Sequence, residues 1–157
     1  MHNKLYVVIP CYNEEEVLAE TSKRLKEKFL SLVSSGMIHP DSRVVFVNDG
    51  SKDRTWEIIK ALHEEDALFC GINLSKNRGH QNALLAGLMT VKEDADLVIS
   101  MDADLQDDID AMDEMIGKYL KGIDIVYGVR SSRRKDSFFK KVTAEGFYRL
   151  MNVMGAN

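Results

Sequence analysis

Cysteine is nearly missing from this sequence. Cys11 and Cys70 are its only two, they lack the pattern of a disulfide framework, and no CxxC or Cys/His cluster offers a zinc site. A reducing cytoplasm is therefore the expected setting. Long apolar runs are lacking as well: no segment approaches the roughly twenty residues that span a bilayer. The N-terminal Met1-His-Asn-Lys4, followed by a short apolar run and then Pro10, does not read as a signal peptide. Positive charge is not in excess, since 21 Lys and Arg face 25 Asp and Glu for a net charge of −4, which argues against a generally basic nucleic-acid binder. Neither GxGxxG nor GxxxxGK(S/T) occurs, so neither a dinucleotide fingerprint nor a P-loop is supported. His2, His39, His63 and His80 are scattered and read as ordinary surface or core residues. Cys11 likewise reads as a small buried residue rather than a nucleophile.

What is present is a chain of 157 residues, 45% of them apolar, enough for one domain with a substantial core. Leu5 to Ile9 reads as a buried strand, and Glu14 to Val33 as a helix through Val17, Leu18, Leu25, Phe29 and Leu32. Ser34-Ser-Gly36 and Pro40 interrupt before Arg43 to Val47 resumes as a second strand. The alternation continues with a helix over 55–65, a strand over 68–74, a helix over 79–91, a buried strand over 97–101 and a helix over 109–120. A fifth strand is expected over Ile123-Asp-Ile-Val-Tyr127. Such βα alternation predicts an α/β fold, a mostly parallel, doubly wound sheet with helices on both faces.

In a parallel sheet the carboxyl ends of all strands share one edge, and open α/β sheets bind ligands there. The first strand ends in Pro10-Cys-Tyr-Asn-Glu-Glu15, the second in Asn48-Asp-Gly-Ser-Lys-Asp53, and the third leads to Ser75-Lys-Asn-Arg-Gly-His80. The fourth ends in Asp102-Ala-Asp104, whose carboxylates at i and i+2 share one side if strand geometry persists. Hard oxygen ligands so placed suit Mg²⁺ or Mn²⁺ between the acids and a phosphate-bearing substrate. Turn or helix-capping acids are the plainer alternative. Asp49 could accept a hydrogen bond from a base N–H, and Tyr12 could wall that base. In the second loop Gly50 can take positive φ, while Ser51 or Asp53 can cap the following helix. Gly79 at a helix start permits close backbone approach to an anion, or simply starts a helix. The Asp102 to Asp113 window resembles a calcium loop but has Asp107 where that loop turns on Gly.

The last quarter reverses the sign of the chain, with Arg130, Arg133, Arg134, Lys135, Lys140 and Lys141 opposed only by Asp136 within that stretch. Phe138, Phe139, Val142, Phe147, Leu150, Met151 and Met154 follow at near-helical spacing. A basic amphipathic segment of this kind suits an anionic membrane surface, and equally a core-facing helix with a charged outer face.

Four ordered motifs together resemble the inverting glycosyltransferases of family 2, which have the GT-A fold. They are Val8-Ile-Pro-Cys-Tyr-Asn-Glu-Glu15, Val47-Asn-Asp-Gly-Ser-Lys-Asp53, Asn77-Arg-Gly79 with Ala83, and Met101-Asp-Ala-Asp-Leu-Gln-Asp107. Val126 to Arg133, Phe138 to Lys141 and Phe147 to Leu150 look like the polyprenyl-phosphate subgroup, related to dolichyl-phosphate mannose synthase and bactoprenol glucosyltransferases. The resemblance implies that Pro10, Tyr12, Asn13, Glu14, Asp49, Gly79, Asp102 and Ala103 hold a nucleotide, as in a UDP-sugar. It implies that Asp102 and Asp104 form the catalytic pair, holding ribose and a divalent metal, and that Arg130 and Arg133 bind the acceptor phosphate. Residues 1–129 would be the nucleotide-sugar-binding core and 130–157 the start of an acceptor and membrane-interface segment. The setting implied is the cytoplasmic side of the cell membrane, in cell-envelope synthesis. The family commonly has proline after the Leu-Gln motif where this chain has Asp107-Asp-Ile-Asp110. Its relatives continue beyond the equivalent of Asn157, often into transmembrane helices, so a catalytic-domain fragment is expected.

Other readings compete. Transfer to a saccharide hydroxyl would need a positioned carboxylate base, and none is identifiable by sequence. A signalling receiver domain expects paired acids after strand one and a Lys after strand five, whereas this chain has Pro10-Cys11 and Gly128-Val-Arg130. A silent nucleotide-sugar-binding module stays open, as does a homo-oligomer; nucleic acid is not an expected partner.

Overall fold

A computed structural model describes residues 3–104 and 108–129. Two units divide the chain, Met1–Val126 and Tyr127–Asn157, and only residues 127–129 of the second are described. Within the first, strands and helices alternate: β1 Leu5–Cys11, α1 Leu18–Ser34, β2 Arg43–Asn48, α2 Thr55–Glu65, β3 Phe69–Asn73, α3 His80–Val91, β4 Leu97–Ser100 and α4 Ala111–Tyr119.

The four strands form one sheet in the order β3-β2-β1-β4, and every pairing is parallel. The expected α/β architecture is the one observed. β1 and β2 occupy the middle, which explains their unbroken apolar runs: both faces must be buried. Val7 and Ile9 join Val44 and Phe46 under α1, α2 and α4, with Leu18, Leu25, Ile59 and Ile116 in the same cluster. Val8, Val45 and Val47 point to the other face, where Ala83 and Val91 of α3 complete a smaller cluster. α3 can lie this close because of Gly87, where an added Cβ would fall 2.4 Å from Val8 Cγ1 and 2.9 Å from Val47 Cγ2.

Three expectations need correction. β4 is not a buried strand: among the described residues it pairs only with β1, and Val98 is 37% exposed. It is one of the two edges of the sheet among the described residues, and α3 packs chiefly on β1 and β2. Second, the segment over 123–127 forms no strand; Ile123 and Ile125 are exposed, and an extended segment becomes a strand only where a neighbour takes its hydrogen bonds. Third, α1 begins at Leu18 and not at Glu14: residues 15–17 form a turn in which the Glu14 carbonyl accepts from both Val17 and Leu18 N–H, and side chains around the start of α2 take the free amides that lead into it. Glu14 N–H donates to Thr55 Oγ1 at 2.8 Å and Glu15 N–H to Asp53 Oδ2 at 3.1 Å.

Among the described residues no helix is long and apolar enough to cross a membrane. The basic segment from Arg130 onward, including Arg133, and the stretch Leu105–Asp107 lie outside the described residues.

Candidate functional site

Parallel pairing brings the carboxyl ends of β1, β2 and β4 to one edge, and a dense set of hydrogen bonds fixes the loops that leave them. Asp49 N–H donates to Cys11 O at 2.8 Å as β1 and β2 end. Asn13, at φ 57, donates its N–H to Ser51 Oγ at 3.0 Å and accepts from Lys52 N–H through Oδ1 at 2.8 Å. Left-handed backbone at a non-glycine residue is costly, and Asn tolerates it better than most. Asp53, one residue before the Arg54 N-cap, accepts the first amide of α2, Thr55 N–H, on Oδ1 at 3.0 Å, while Ser51 serves the opposite loop. These two loops act as one stitched unit, with Asn13, Glu14, Glu15, Lys52 and Asp53 around a cavity of about 440 Å³.

The loop after β3 is tied to the same unit from below. Asp49, only 2% exposed, accepts Arg78 N–H on Oδ1 at 2.6 Å and Gly79 N–H on Oδ2 at 2.9 Å. Charge-assisted bonds to two successive amides hold that turn firmly. Gly50 makes the approach possible: at φ +66, a Cβ would fall 2.4 Å from Asn77 N and 2.6 Å from Lys76 C. Gly79 then opens α3 at φ 86, with its carbonyl accepting from Asn82 and Ala83.

The acid pair follows β4. Strand geometry does not persist to it, since β4 ends at Ser100 and Ala103 and Asp104 lie in a turn; Asp102 and Asp104 are nevertheless both exposed, with Ala103 buried between them. Thr21 of α1 holds the residue between them, donating to Ala103 O at 2.7 Å in a buried setting. Asp102, Ala103 and Asp104 line a cavity of about 230 Å³ together with Pro10, Glu14 and His80. Burial raises the Glu14 carboxyl above its ordinary value, and the negative charges of Asp104, Asp53 and Asp102 push the same way. His80 Nε2 stands 3.7 Å from Asp102 Oδ1. Among the described residues no set of three or more His, Cys, Asp or Glu is arranged to hold a metal ion by itself.

Of the residues expected to form a site, Pro10, Glu14, Asp102, Ala103 and Asp104 therefore meet in one cavity. Asn13 and Glu14 border the neighbouring one. Tyr12 is exposed, Asp49 lies beneath Arg78 and Gly79, and Gly79 stands at the start of α3. Arg130 and Arg133 fall outside the described residues. His80 was missed by sequence, since a lone histidine has no spacing to announce it; its place directly after Gly79 at a helix start was the available signal. Cys11 is buried, and that burial, with Glu14 nearby, pushes its thiol far above the ordinary range, as befits an inert core residue.

The sequence profile of "Glycosyl transferase family 2" matches residues 6–155. The chain belongs to that family. Among curated relatives, an uncharacterized glycosyltransferase, YkoT of Bacillus subtilis (strain 168), is 52% identical over 151 residues, covering 96% of this chain and 45% of that protein. The prophage bactoprenol glucosyl transferase homolog of Escherichia coli (strain K12) is 40% identical over 149 residues, covering 95% of this chain and 46% of its own length. This family 2 chain thus spans about half the length of the curated relatives it matches. Among solved structures, S. aureus TarS 1-349 in complex with UDP has a TM-score of 0.59 at 19% identity, over 85% of this chain and 40% of TarS 1-349. The mannosyltransferase PcManGT from Pyrobaculum calidifontis, in complex with GDP-Man and Mn²⁺, has a TM-score of 0.53 at 22% identity, over 66% and 28% of the two chains. At those identities the likeness concerns the fold, which is GT-A.

Proposed function

We propose that this chain is the donor-binding part of an inverting, metal-dependent glycosyltransferase that moves a sugar from a UDP-sugar to a polyprenyl phosphate at the cytoplasmic face of the membrane. The observation that carries this reading is the cavity in which Asp102 and Asp104 face Pro10, Glu14 and His80 at the carboxyl edge of a parallel sheet. The acceptor class rests on the 40% identity to the bactoprenol glucosyl transferase homolog. The TarS complex with UDP supports the donor class.

The donor set fits a hard divalent cation. Asp102 and Asp104 supply oxygen ligands, and Mg²⁺ or Mn²⁺ needs only one or two carboxylates when substrate phosphates and water complete its shell. Bound there, such an ion would neutralise the charge that develops on the departing diphosphate. The chain's own groups do the rest. Thr21 keeps Ala103 in place, so both carboxylates stay directed to the cavity. Pro10, Tyr12, Asn13 and Glu14 border the nucleoside. Asp49 keeps lone pairs beyond the two bonds it makes to Arg78 and Gly79, and can accept from a base N–H. In-line attack at the anomeric carbon inverts its configuration. A lipid phosphate is already an anionic nucleophile, so no protein base has to deprotonate it.

Residues 1–129 then form the donor-binding core, and 130–157 begin the acceptor side, with Arg130 and Arg133 on the lipid phosphate through guanidinium forks. The basic segment lies against the anionic membrane surface. The test is transfer by the full-length protein in membranes, using labelled UDP-sugars and added polyprenyl phosphate. Label in an acid-labile lipid phosphate is the expected result. Label in a polysaccharide hydroxyl instead overturns the acceptor, and no transfer from any UDP-sugar overturns the donor.

A further inference from the structure

The cavity that holds the acid pair has an imbalance of groups. Three of its described lining residues are carboxylates, Glu14, Asp102 and Asp104; Pro10 and Ala103 offer no side-chain donor, and His80 alone does. A diphosphate in such a cavity meets negative charge on every side not screened by a cation, unless a hydrogen-bond donor faces it. We propose that His80 is that donor: its imbalance-correcting imidazole N–H binds a phosphate oxygen of the nucleotide, opposite the acids. The inference rests on the nucleotide-diphosphate reading above and adds a binding residue to it.

Two independent features of the structure place the ring there. One is distance: Nε2 of His80 stands 3.7 Å from Asp102 Oδ1, too far for a hydrogen bond, and both side chains are about half exposed, at 53% and 56%. The ring therefore borders the acid without being closed onto it, and a phosphate oxygen can take its N–H. The other is the anchoring of the residues just before it. Arg78 and Gly79 give their N–H groups to the buried Asp49 carboxylate at 2.6 and 2.9 Å. Gly50 lets the preceding Lys76 and Asn77 backbone pack onto the β2 loop with no room for a Cβ. An ordinary surface histidine needs no such foundation, whereas a ligand-binding group is effective when its backbone is fixed in advance. Asp49 is on this view also a positioning residue: it holds the start of α3, and so His80, beside the acid pair.

The test compares wild type, His80→Ala and His80→Gln of the 157-residue chain by calorimetric titration of UDP at saturating Mn²⁺. Glutamine can present an N–H near the position of Nε2, so it separates donation from mere bulk. Loss of a hydrogen bond to a charged phosphate is expected to weaken UDP binding by about tenfold in His80→Ala, with recovery to within about threefold of wild type in His80→Gln. The half-exposed ring packs little, so the unfolding midpoint of both variants is expected to match wild type. Unchanged UDP affinity in His80→Ala overturns the inference, as does an equal loss in both variants. Affinity lost in step with a lowered unfolding midpoint also overturns it, by making the role structural. If wild type itself fails to bind UDP with Mn²⁺, the nucleotide reading falls, and this inference with it.

Discussion

Replacing Gly50 by alanine probes the contact on which the shared edge of the sheet depends. The new Cβ would fall 2.4 Å from Asn77 N, 2.6 Å from Lys76 C and 2.9 Å from Lys76 Cα, all backbone atoms that no rotamer change can move aside. The residue also keeps φ +66, where a side chain costs about 1–2 kcal/mol. Forcing the two loops apart adds about 1–3 kcal/mol, the usual cost of overpacking, for a total of about 2–5 kcal/mol. Gly122 is the matched control, because it has φ +87 with nothing within 4 Å of an added Cβ, so Gly122→Ala carries only the conformational cost of about 1–2 kcal/mol. Each kcal/mol lowers the unfolding midpoint by about 2–4 °C in a domain of this size. Thermal unfolding followed by circular dichroism should therefore place Gly50→Ala several degrees below Gly122→Ala. Equal midpoints for the two variants would refute the claim that the loops after β2 and β3 are locked together at Gly50.

Asp49→Asn turns one carboxylate oxygen into an NH₂ that faces either Arg78 N–H or Gly79 N–H, leaving a buried donor without its acceptor; a loss of about 1–3 kcal/mol in urea unfolding is expected, and an unchanged midpoint would contradict it. Thr21→Val keeps the shape but leaves the Ala103 carbonyl without the hydroxyl it now accepts from, and should cost about 1–3 kcal/mol in the same assay. Asp66 is held below the ordinary carboxylate range by its hydrogen bond with Lys26, then by the Leu68 N–H. A carboxyl that ionises more readily folded than unfolded stabilises the fold above its unfolded value and loses that contribution as pH falls through the folded one. Asp66→Asn should therefore lower stability near pH 7 by more than near pH 2, and a penalty independent of pH would count against the assignment.

Much of the fold was legible because β1 and β2 are central strands of a parallel sheet, and burial on both faces demands the apolar runs that announce them. The same composition misled at β4, since Leu97 to Ile99 read as a buried strand whether or not a second neighbour is present. Ile123 to Tyr127 shows the reverse problem: strand-like residues do not supply the partner that makes a strand. At the start of α1 the helical periodicity runs through a turn over 15–17 that is not helix, and the contacts that pin that turn, to Thr55 and Asp53 some forty residues downstream, leave no local signal. The convergence of Pro10, Glu14, Asp102 and Asp104 followed from topology alone, as parallel strands end at one edge. Local sequence could not show that Asp49 faces the Arg78 and Gly79 amides, because that depends on where the β3 loop lies. His80 carried no periodic signal of any kind.

The most direct test of donor binding is calorimetric titration of the chain with UDP, with and without Mn²⁺, alongside ADP and GDP, in wild type and in Asp104→Ala. Binding selective for UDP, strengthened by Mn²⁺ in wild type and insensitive to Mn²⁺ in Asp104→Ala, is the expected result. UDP affinity that does not respond to Mn²⁺ in wild type, or no preference for UDP over ADP and GDP, would contradict it.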